Sequence, residues 1–516
     1  NELFLEYRFL FVIPILLPAS TIYTWYWTLR SFLTRLSSAS NRHEENVLSI
    51  QRQIKAWRKS GSENLLCTAR PSFLSIGLRN QKYKKKDNQI TLRLYNILCL
   101  DTDAMTVTVE PGVNVGQLTR FLNPKGFTLP VVPELDDLTF GGLMNGYGIE
   151  SSSHKYGLLN DFVVSAELVL GDASVVQCSA TENPDLFRAV PWSHGSLGFL
   201  TSLTMKIIPC KPYVRLVYEP VYTLDNMCQR FGDLARGKVD PVTKEREQCM
   251  FLEAVQYDYN NGVLTYGDFA DHVGDDGELN SIGLWYKPWW YKHAEKYLHS
   301  GKKTVEYIPI RDYYHRHTRS IFWEMELILP MGNHPIFRYL LGWIMPPSIS
   351  FLKGTQTEYV KRHYQDMHIA QDYLLPLEYL KESITVSHEL YDIYPLWLCP
   401  HAVYKTEPQG AIRAPQSGTS EADMEMYVDL GIWYCPKAWT QGRNFDGRAA
   451  TREFEAWLRQ HRGYQATYAV TEQTAKEYYT MFDDTLYKQV REKYGAVGVF
   501  IGSYDKIAGG APNTES

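Results

Sequence analysis

Residues 141–157 read Gly-Gly-Leu-Met-Asn-Gly-Tyr-Gly-Ile-Glu-Ser-Ser-Ser-His-Lys-Tyr-Gly. Five glycines and three consecutive serines leave no apolar stripe along which a helix or strand could pack. Glycine does permit close approach and positive φ, so the run leaves backbone N–H groups open to an anion. A phosphate-bearing ligand is the expectation, and its identity has to come from the flanks. A Gly-x-Gly-x-x-Gly fingerprint needs a strand-to-helix turn. The nearest match here, Gly146 to Ser151, ends in serine and follows no strand, so that signal is weak.

The flanks are ordered. Thr106 to Glu110 alternates like a half-buried strand and stops at Pro111-Gly112. Val115, Leu118 and Leu122 sit at helical spacing ahead of Pro124 and Gly126. The prolines of Thr128 to Glu134 favour an extended entry into the glycine run. Downstream, Ala166 to Leu170 and Ser174 to Cys178 flank Gly171-Asp172, a hairpin signal. Asn183 to Ala189, then Gly195 to Leu200 and a strand through Ile208, complete the unit.

At 516 residues the chain exceeds a single core. A net charge of −5 and a pI near 6.3 exclude a dominant basic field, hence a nucleic-acid partner. Eight cysteines lack Cys-x-x-Cys spacing, so no zinc ribbon or redox pair is visible and no metal site is expected. Free thiols in a reducing compartment are the expectation.

From Phe9 to Leu29 there are 21 residues without a charge. At 1.5 Å per residue this is about 31 Å, enough to cross a bilayer. Tyr23, Trp25, Tyr26 and Trp27 cluster where an aromatic belt would lie, whereas Pro14 and Pro18 sit awkwardly in a straight helix. A buried helix or a signal peptide is the alternative. Arg30, Arg35 and Arg42 follow the span, and Glu2, Glu6 and Arg8 precede it. The positive-inside rule then predicts a single-pass anchor with its body in the cytosol. Lys82 to Lys86 reads as a solvated loop, with lipid headgroup contact as the minority reading.

Val47, Ile50, Ile54 and Trp57 predict an amphipathic helix linking the span to the glycine-bearing unit. Gly262 to Asn280 holds Asp271, Asp275, Asp276 and Glu278 without calcium-loop spacing and reads as an exposed turn. Beyond Pro209 the chain turns aromatic, which suits a pocket or an ordinary core. Residues 335–352 form a broken greasy stretch, either a membrane-surface element or a buried helix. Gln409 to Thr419 reads as a flexible loop.

Taken together over residues 64–209, this order resembles the FAD-binding domain of the vanillyl-alcohol-oxidase-type flavoproteins. Cys67 to Pro71, Pro133 to Leu138, Gly148 to Gly157, Ala189 to Ser193 and Tyr313 to Glu324 look closer to one family within it, the Δ24-sterol reductases. The likeness reaches Asp483 and Tyr487. It implies an α+β fold: an anchor over 1–33, a linker helix over 34–63 and an FAD domain over 64–210. A substrate (cap) domain over 211–423 and a segment over 424–516 that returns to the flavin would follow. It also implies an endoplasmic-reticulum address, with sterol, NAD(P)H and lipid bilayer as partners, and a homo-oligomer is compatible with it.

Carried onto this chain, the resemblance assigns FAD contacts to Arg70, Pro133, Thr139, Phe140, Gly141, Gly142, Leu143, Met144, Asn145, Gly146, Tyr147, Gly148, Ile149, Glu150, Ser151, Ser152, His154, Gly157, Gly195 and Gly198. Glu150 and Glu134 should avoid the diphosphate, since like charges repel. The superfamily usually has a glycine-rich diphosphate loop where this chain has Ala69-Arg70-Pro71.

The implied reaction is NAD(P)H-driven reduction of the Δ24 side-chain double bond, with NADPH as donor. That alkene has no activating carbonyl, so it needs a proton donor and a dry apolar slot. Tyr468, His315 and His317 are the candidates for the acid; in a strand the two histidines would share a face. Without further ligands a His-x-His pair is a poor metal site, and tyrosines are usually packing residues. A flavoprotein oxidase of an alcohol or lactone, and a sterol-binding scaffold without activity, stay open as rivals. His154 occupies the loop through which some superfamily members attach FAD covalently, and noncovalent binding is the expectation here. Acid precipitation should therefore release the flavin into the supernatant; flavin retained in the pellet would contradict it.

Overall fold

The computed structural model describes residues 9–35, 39–75, 82–85, 87–239, 246–355, 368–415 and 424–508. Glu2, Glu6, Arg8, Lys86 and positions 416–419 of the expected flexible loop lie outside the described residues.

Alternating valines and leucines build a five-stranded antiparallel sheet. Its spatial order is Ile97–Asp101, Thr106–Val109, Phe199–Lys206, Val163–Val169, Val175–Ser179. Val107, Val109, Leu203 and Met205 are wholly buried in it. The expected hairpin is the pair Val163–Val169 and Val175–Ser179. The helix Val115–Leu122 starts where Asn114 Oδ1 accepts from Gln117 N at 2.7 Å, and it buries Val115, Leu118 and Leu122.

The glycine run is less irregular than its composition suggests. Phe140–Asn145 forms a short helix, because Phe140, Leu143 and Met144 recur at i, i+3 and i+4 and all three are buried. Glycine is needed within it. A Cβ at Gly141 would lie 2.6 Å from Pro111 Cβ.

The linker helix Ala39–Ser60 lies against this unit and buries Val47, Ile50 and Ile54 beside Leu66, Ile90, Phe199 and Phe500. Burying an aliphatic side chain contributes roughly 1.5–3 kcal/mol, so this helix belongs to the domain as firmly as the strands do. Near its start, His43 Nδ1 reaches Glu110 Oε1 at 2.9 Å and Nε2 reaches Glu167 Oε1 at 3.2 Å.

The second unit is a nine-stranded sheet. Its order is Glu278–Leu279, Thr304–Pro309, Tyr213–Tyr222, Asn261–Ala270, Phe251–Gln256, Leu396–Tyr404, Met424–Tyr434, Ile369–Pro376, Tyr464–Gln465. Two expectations change here. Residues 261–270 are a strand rather than an exposed turn, since Val263 and Leu264 are fully buried. Met424–Tyr434 lies inside the cap sheet, between Leu396–Tyr404 and Ile369–Pro376, so the sheet runs across the division placed at residue 424. After this strand the chain returns to the first unit, where Phe482 packs on Trp192 at 5.6 Å and Phe500 on Phe199 at 5.3 Å. Most of the aromatic run is interior: Trp289, Trp290, Tyr291, Tyr313 and Trp323 are buried.

The N-terminal helix Leu17–Arg35 is preceded by a π turn, Val12–Leu16, that contains Pro14. A wider turn relieves the clash between a proline ring and the preceding carbonyls. Phe9–Tyr26 is long and apolar enough to span a membrane. One side of it is engaged, however: Val12, Leu17 and Ser20 are buried, Ser348 N donates to Ser20 Oγ at 2.7 Å, and Tyr23 meets Phe351. The broken stretch forms the helices Pro335–Leu341 and Ile349–Thr355. It exposes Ile336, Tyr339, Leu340 and Trp343.

The His43 contacts make the linker helix sensitive to pH. Burial alone would lower its pKa, but Glu110 and Glu167 raise it to about 9. A raised histidine pKa stabilises the fold fully below the unfolded value of 6.5 and stops doing so as pH rises through 9. The melting-temperature gap between the parent and His43→Gln should be widest near about pH 6 and shrink toward about pH 10. A gap that does not change with pH would contradict this.

Candidate active site between the two sheets

Strand register gathers the polar groups of the larger sheet. Trp397 pairs with Gly431 and Cys399 with Asp429; Asp372 pairs with Gly431 and Leu374 with Asp429. Val255 pairs with Trp397. With a side-chain period of two, Glu253, Trp397, Cys399, Asp429, Trp433 and Asp372 therefore share one face. Gly431 leaves room for an indole to lie across that face, because a Cβ there would sit 2.3 Å from the Trp433 ring.

Loops of the first unit close over it. The Tyr147 hydroxyl donates to Asp429 Oδ2, and its ring lies 5.7 Å from Trp192. On the other side Ala466 N donates to Asp372 O at 3.0 Å, which brings Tyr468 alongside. Trp433 Nε1 donates to Tyr468 Oη at 2.8 Å, and the Tyr468 hydroxyl also interacts with the Asp372 carboxyl.

Burial raises the pKa of Asp372 well above the carboxylate range, and the neighbouring Asp429 raises it further. Burial raises Asp429 likewise, against the Tyr147 bond. Glu134 is raised by burial and by Glu150. Like charges this close in a dry site cannot all ionise, so burial and mutual repulsion favour the protonated form of this pair. Oδ1 of each aspartic acid is buried with no hydrogen-bond partner among the described residues. Tyr147 and Tyr468 are both pushed up by burial and by the adjacent carboxyls.

A second group pins the interface. Arg316 Nη2 lies 2.6 Å from Glu150 Oε1, and its Nε lies 2.7 Å from Glu253 Oε1. Its side chain has no exposure. Trp397 Nε1 donates to Glu253 Oε2 at 2.8 Å, and His317 Nε2 lies 3.3 Å from the same oxygen. Burial opposes ionisation of Glu253, but Arg316 and His317 hold it far below the usual range.

The histidine pair does not share a face, because residues 315–323 are turns following the helix Ile310–Tyr314 rather than a strand. His315 turns to the first unit, with Nε2 2.8 Å from Thr119 Oγ1 and Nδ1 3.2 Å from Glu134 O. His317 turns to Glu253 and stacks on Phe322 at 4.0 Å. Burial lowers the pKa of both, that of His315 to about 4.

Among the residues assigned to FAD, Arg70 donates to Thr139 Oγ1 at 3.0 Å and joins its loop to the helix Phe140–Asn145. Asn145 accepts from Gly195 N at 3.0 Å and donates to Gly141 O at 2.9 Å, which brings Gly195 beside the glycine run. Space in front of Gly195 is open: the nearest atom to an added Cβ is Asn145 Oδ1 at 3.9 Å. Gly198 approaches Val169 O, and Ser152 Oγ donates to Pro130 O. Pro133 and Ile149 are buried between these segments. His154 and Gly157 turn away, His154 Nε2 to Cys249 O at 2.9 Å and Gly157 toward Asp161 and Tyr404. Glu150 accepts from Ser151 N and pairs with Arg316.

Sequence reasoning missed Asp372, Asp429, Glu253 and Arg316. A signal was present. Asp372 and Asp429 each lie within a mostly apolar, largely buried strand, and a carboxyl inside a buried strand needs a reason.

Known proteins extend the picture. A family described as an FAD binding domain matches residues 47–179. The Delta(24)-sterol reductase of Homo sapiens is 43% identical over 501 residues, covering 97% of this chain and 93% of that one. The Delta(24)-sterol reductase of Arabidopsis thaliana is 40% identical over 522 residues, 98% and 92% respectively. A Delta(24)-sterol reductase homolog of Caenorhabditis elegans is 39% identical over 514 residues, 97% and 94%.

Removing Arg316 would strand two buried carboxylates, which costs about 3–5 kcal/mol. Arg316→Met should therefore lower the melting temperature by several degrees. An unchanged melting temperature would show that the carboxylates are solvated.

Proposed function

Since the chain belongs to the Δ24-sterol reductase family, we propose that its buried aspartic pair and Tyr468 supply the proton for reduction of the Δ24 side-chain double bond. The enzyme is an FAD-dependent oxidoreductase acting on a sterol, with NADPH as its donor. The single observation that carries the proton assignment is Asp372, a carboxyl kept protonated by burial and interacting with the Tyr468 hydroxyl.

The residues present fit FAD. Gly195 offers open backbone beside the glycine run, and Asp372 Oδ1, Asp429 Oδ1, Glu150 Oε2 and His317 Nδ1 are buried polar atoms without a partner among the described residues. Such atoms suit a flat ligand rich in donors and acceptors. Arg70, Pro133, Thr139, residues 140–152, Gly195 and Gly198 would hold it. Binding is noncovalent in this reading, because the His154 ring faces the Cys249 carbonyl. When bound, FAD carries hydride from the nicotinamide to the sterol side chain.

The chain's own groups supply the rest. A trisubstituted alkene without a carbonyl accepts a proton at its less substituted carbon, leaving positive charge on the tertiary carbon for hydride to meet. Tyr468 Oη–H breaks as that C–H bond forms, Trp433 Nε1–H holds the phenolate oxygen, and Asp372 returns a proton to it. Solvent then reprotonates Asp372. Phe322, Trp397 and Trp433 are buried against one another and keep water from the developing cation. His315 and His317 act as positioning residues, since their rings are engaged by Thr119 and Glu253. An oxidase of an alcohol would need a base here, whereas this site holds its protons.

The bilayer partner is supported by Phe9–Tyr26 together with exposed Ile336, Tyr339, Leu340 and Trp343 beside it. The arginines after the span favour a body on the cytosolic side of the endoplasmic reticulum membrane.

Tyr468→Phe and Asp372→Asn should leave flavin reduction by NADPH unchanged. Both should slow sterol reduction by about 10²–10⁴-fold, the usual contribution of a positioned acid. Sterol turnover at the parental rate in both variants would refute the assignment.

A further inference from the structure

Lys506 is 7% exposed, yet it forms no ion pair among the described residues. Its ammonium donates to His194 O at 3.0 Å and Gly195 O at 3.1 Å, both backbone carbonyls. Nearby, Lys84 departs from the solvated loop that the composition of Lys82 to Lys86 suggests. It is half-buried and donates to Arg70 O and to Thr68 Oγ1 at 3.3 Å. Arg491 adds a third cation, donating to Ser196 O at 3.2 Å and Phe500 O at 2.7 Å.

Lys84 and Arg491 both act on Lys506 against its ionisation, and no ion pair among the described residues offsets them. Asp87 acts on Lys506 only through space; its own pKa is raised by burial, and its Oδ2 is buried without a partner among the described residues. Burial lowers Lys506 to about 7 and Lys84 to about 8. Buried ammonium groups satisfied only by uncharged oxygens are costly unless an anion joins them. Their placement says which anion. Lys84 stands at the loop after the strand Leu66–Thr68, and Lys506 stands at Gly195, which Asn145 ties to the glycine run.

We propose that Lys84 and Lys506 are the cationic ligands of the FAD diphosphate, replacing the glycine-rich loop that Ala69-Arg70-Pro71 does not supply. A doubly charged diphosphate accepts N⁺–H···O⁻ bonds from both ammonium groups and relieves their mutual repulsion. Because Lys506 belongs to the helix Ser503–Ile507, the C-terminal segment then helps to retain the cofactor.

The inference rests on the FAD cofactor of the proposed function. In detergent-solubilised full-length protein, Lys506→Met and Lys84→Met should each weaken FAD binding about 10- to 100-fold, the loss of one charge-assisted hydrogen bond. ADP, which carries the diphosphate without the flavin, should weaken as a competitor by a similar factor. The melting temperature of the flavin-free protein should stay unchanged. FAD affinity within about threefold of the parent in both variants would overturn the inference. So would flavin-free protein destabilised as much as the complex, which would mark a purely structural role. Should Lys506→Met fail to fold, Lys84→Met decides alone. A parent that binds neither FAD nor ADP would instead sink the cofactor reading.

Discussion

One guanidinium joins two carboxylates that come from opposite sides of the molecule, and the site is organised around it. Glu150 belongs to the glycine-bearing segment of the first unit, Glu253 to the nine-stranded sheet, and Arg316 lies fully buried between them. Desolvating three charges costs several kcal/mol each, and attraction offsets this only while both partners stay in place. The arrangement therefore specifies one docking of loop on sheet. Leu252 N donating to Ser151 O at 2.7 Å, and the 3.0 Å contact between Ser151 Oγ and Tyr313 Oη, extend the same join. With the loop held there, Tyr147 reaches Asp429 across the interface.

What the docking creates is an excess of acid in a dry place. Glu150 and Glu253 pair with the buried guanidinium of Arg316, Glu134 is close enough to be acted on by it, and Asp372 and Asp429 act on one another on the same sheet face. Arg316 and His317 keep Glu253 ionised, while Asp372 and Asp429 are driven to hold their protons. Two carboxyl environments on one sheet face thus differ, one held charged in an ion pair and the other driven toward its protonated form. Reduction of an unactivated alkene needs such a separation: a proton source beside apolar walls, undisturbed by bulk water. Trp433 belongs to both parts, packing on Phe322 at 4.3 Å while its N–H bonds Tyr468.

Much of the first unit was legible because local rules govern it. The hairpin at Gly171-Asp172, the helix Val115–Leu122 and the linker helix over Val47, Ile50 and Ile54 follow from periodicity and turn residues. The glycine run misled in one respect: three apolar residues at i, i+3 and i+4 make a helical turn even among glycines. Long-range pairing was less accessible. Nothing local tells that Met424–Tyr434 lies between strands about thirty and sixty residues earlier, so the Asp372–Asp429 neighbourhood could not be read from spacing. His315 and His317 illustrate the same limit. Their spacing places them together in a strand, but the chain turns, and each ring finds a partner in a different domain.

The most direct measurement is an anaerobic flavin spectrum of the detergent-purified protein, taken after NADPH and again after desmosterol. Bleaching by NADPH followed by full recovery on sterol addition is the predicted result. Bleaching that persists in the presence of desmosterol, with recovery only on admitting oxygen, would contradict the account.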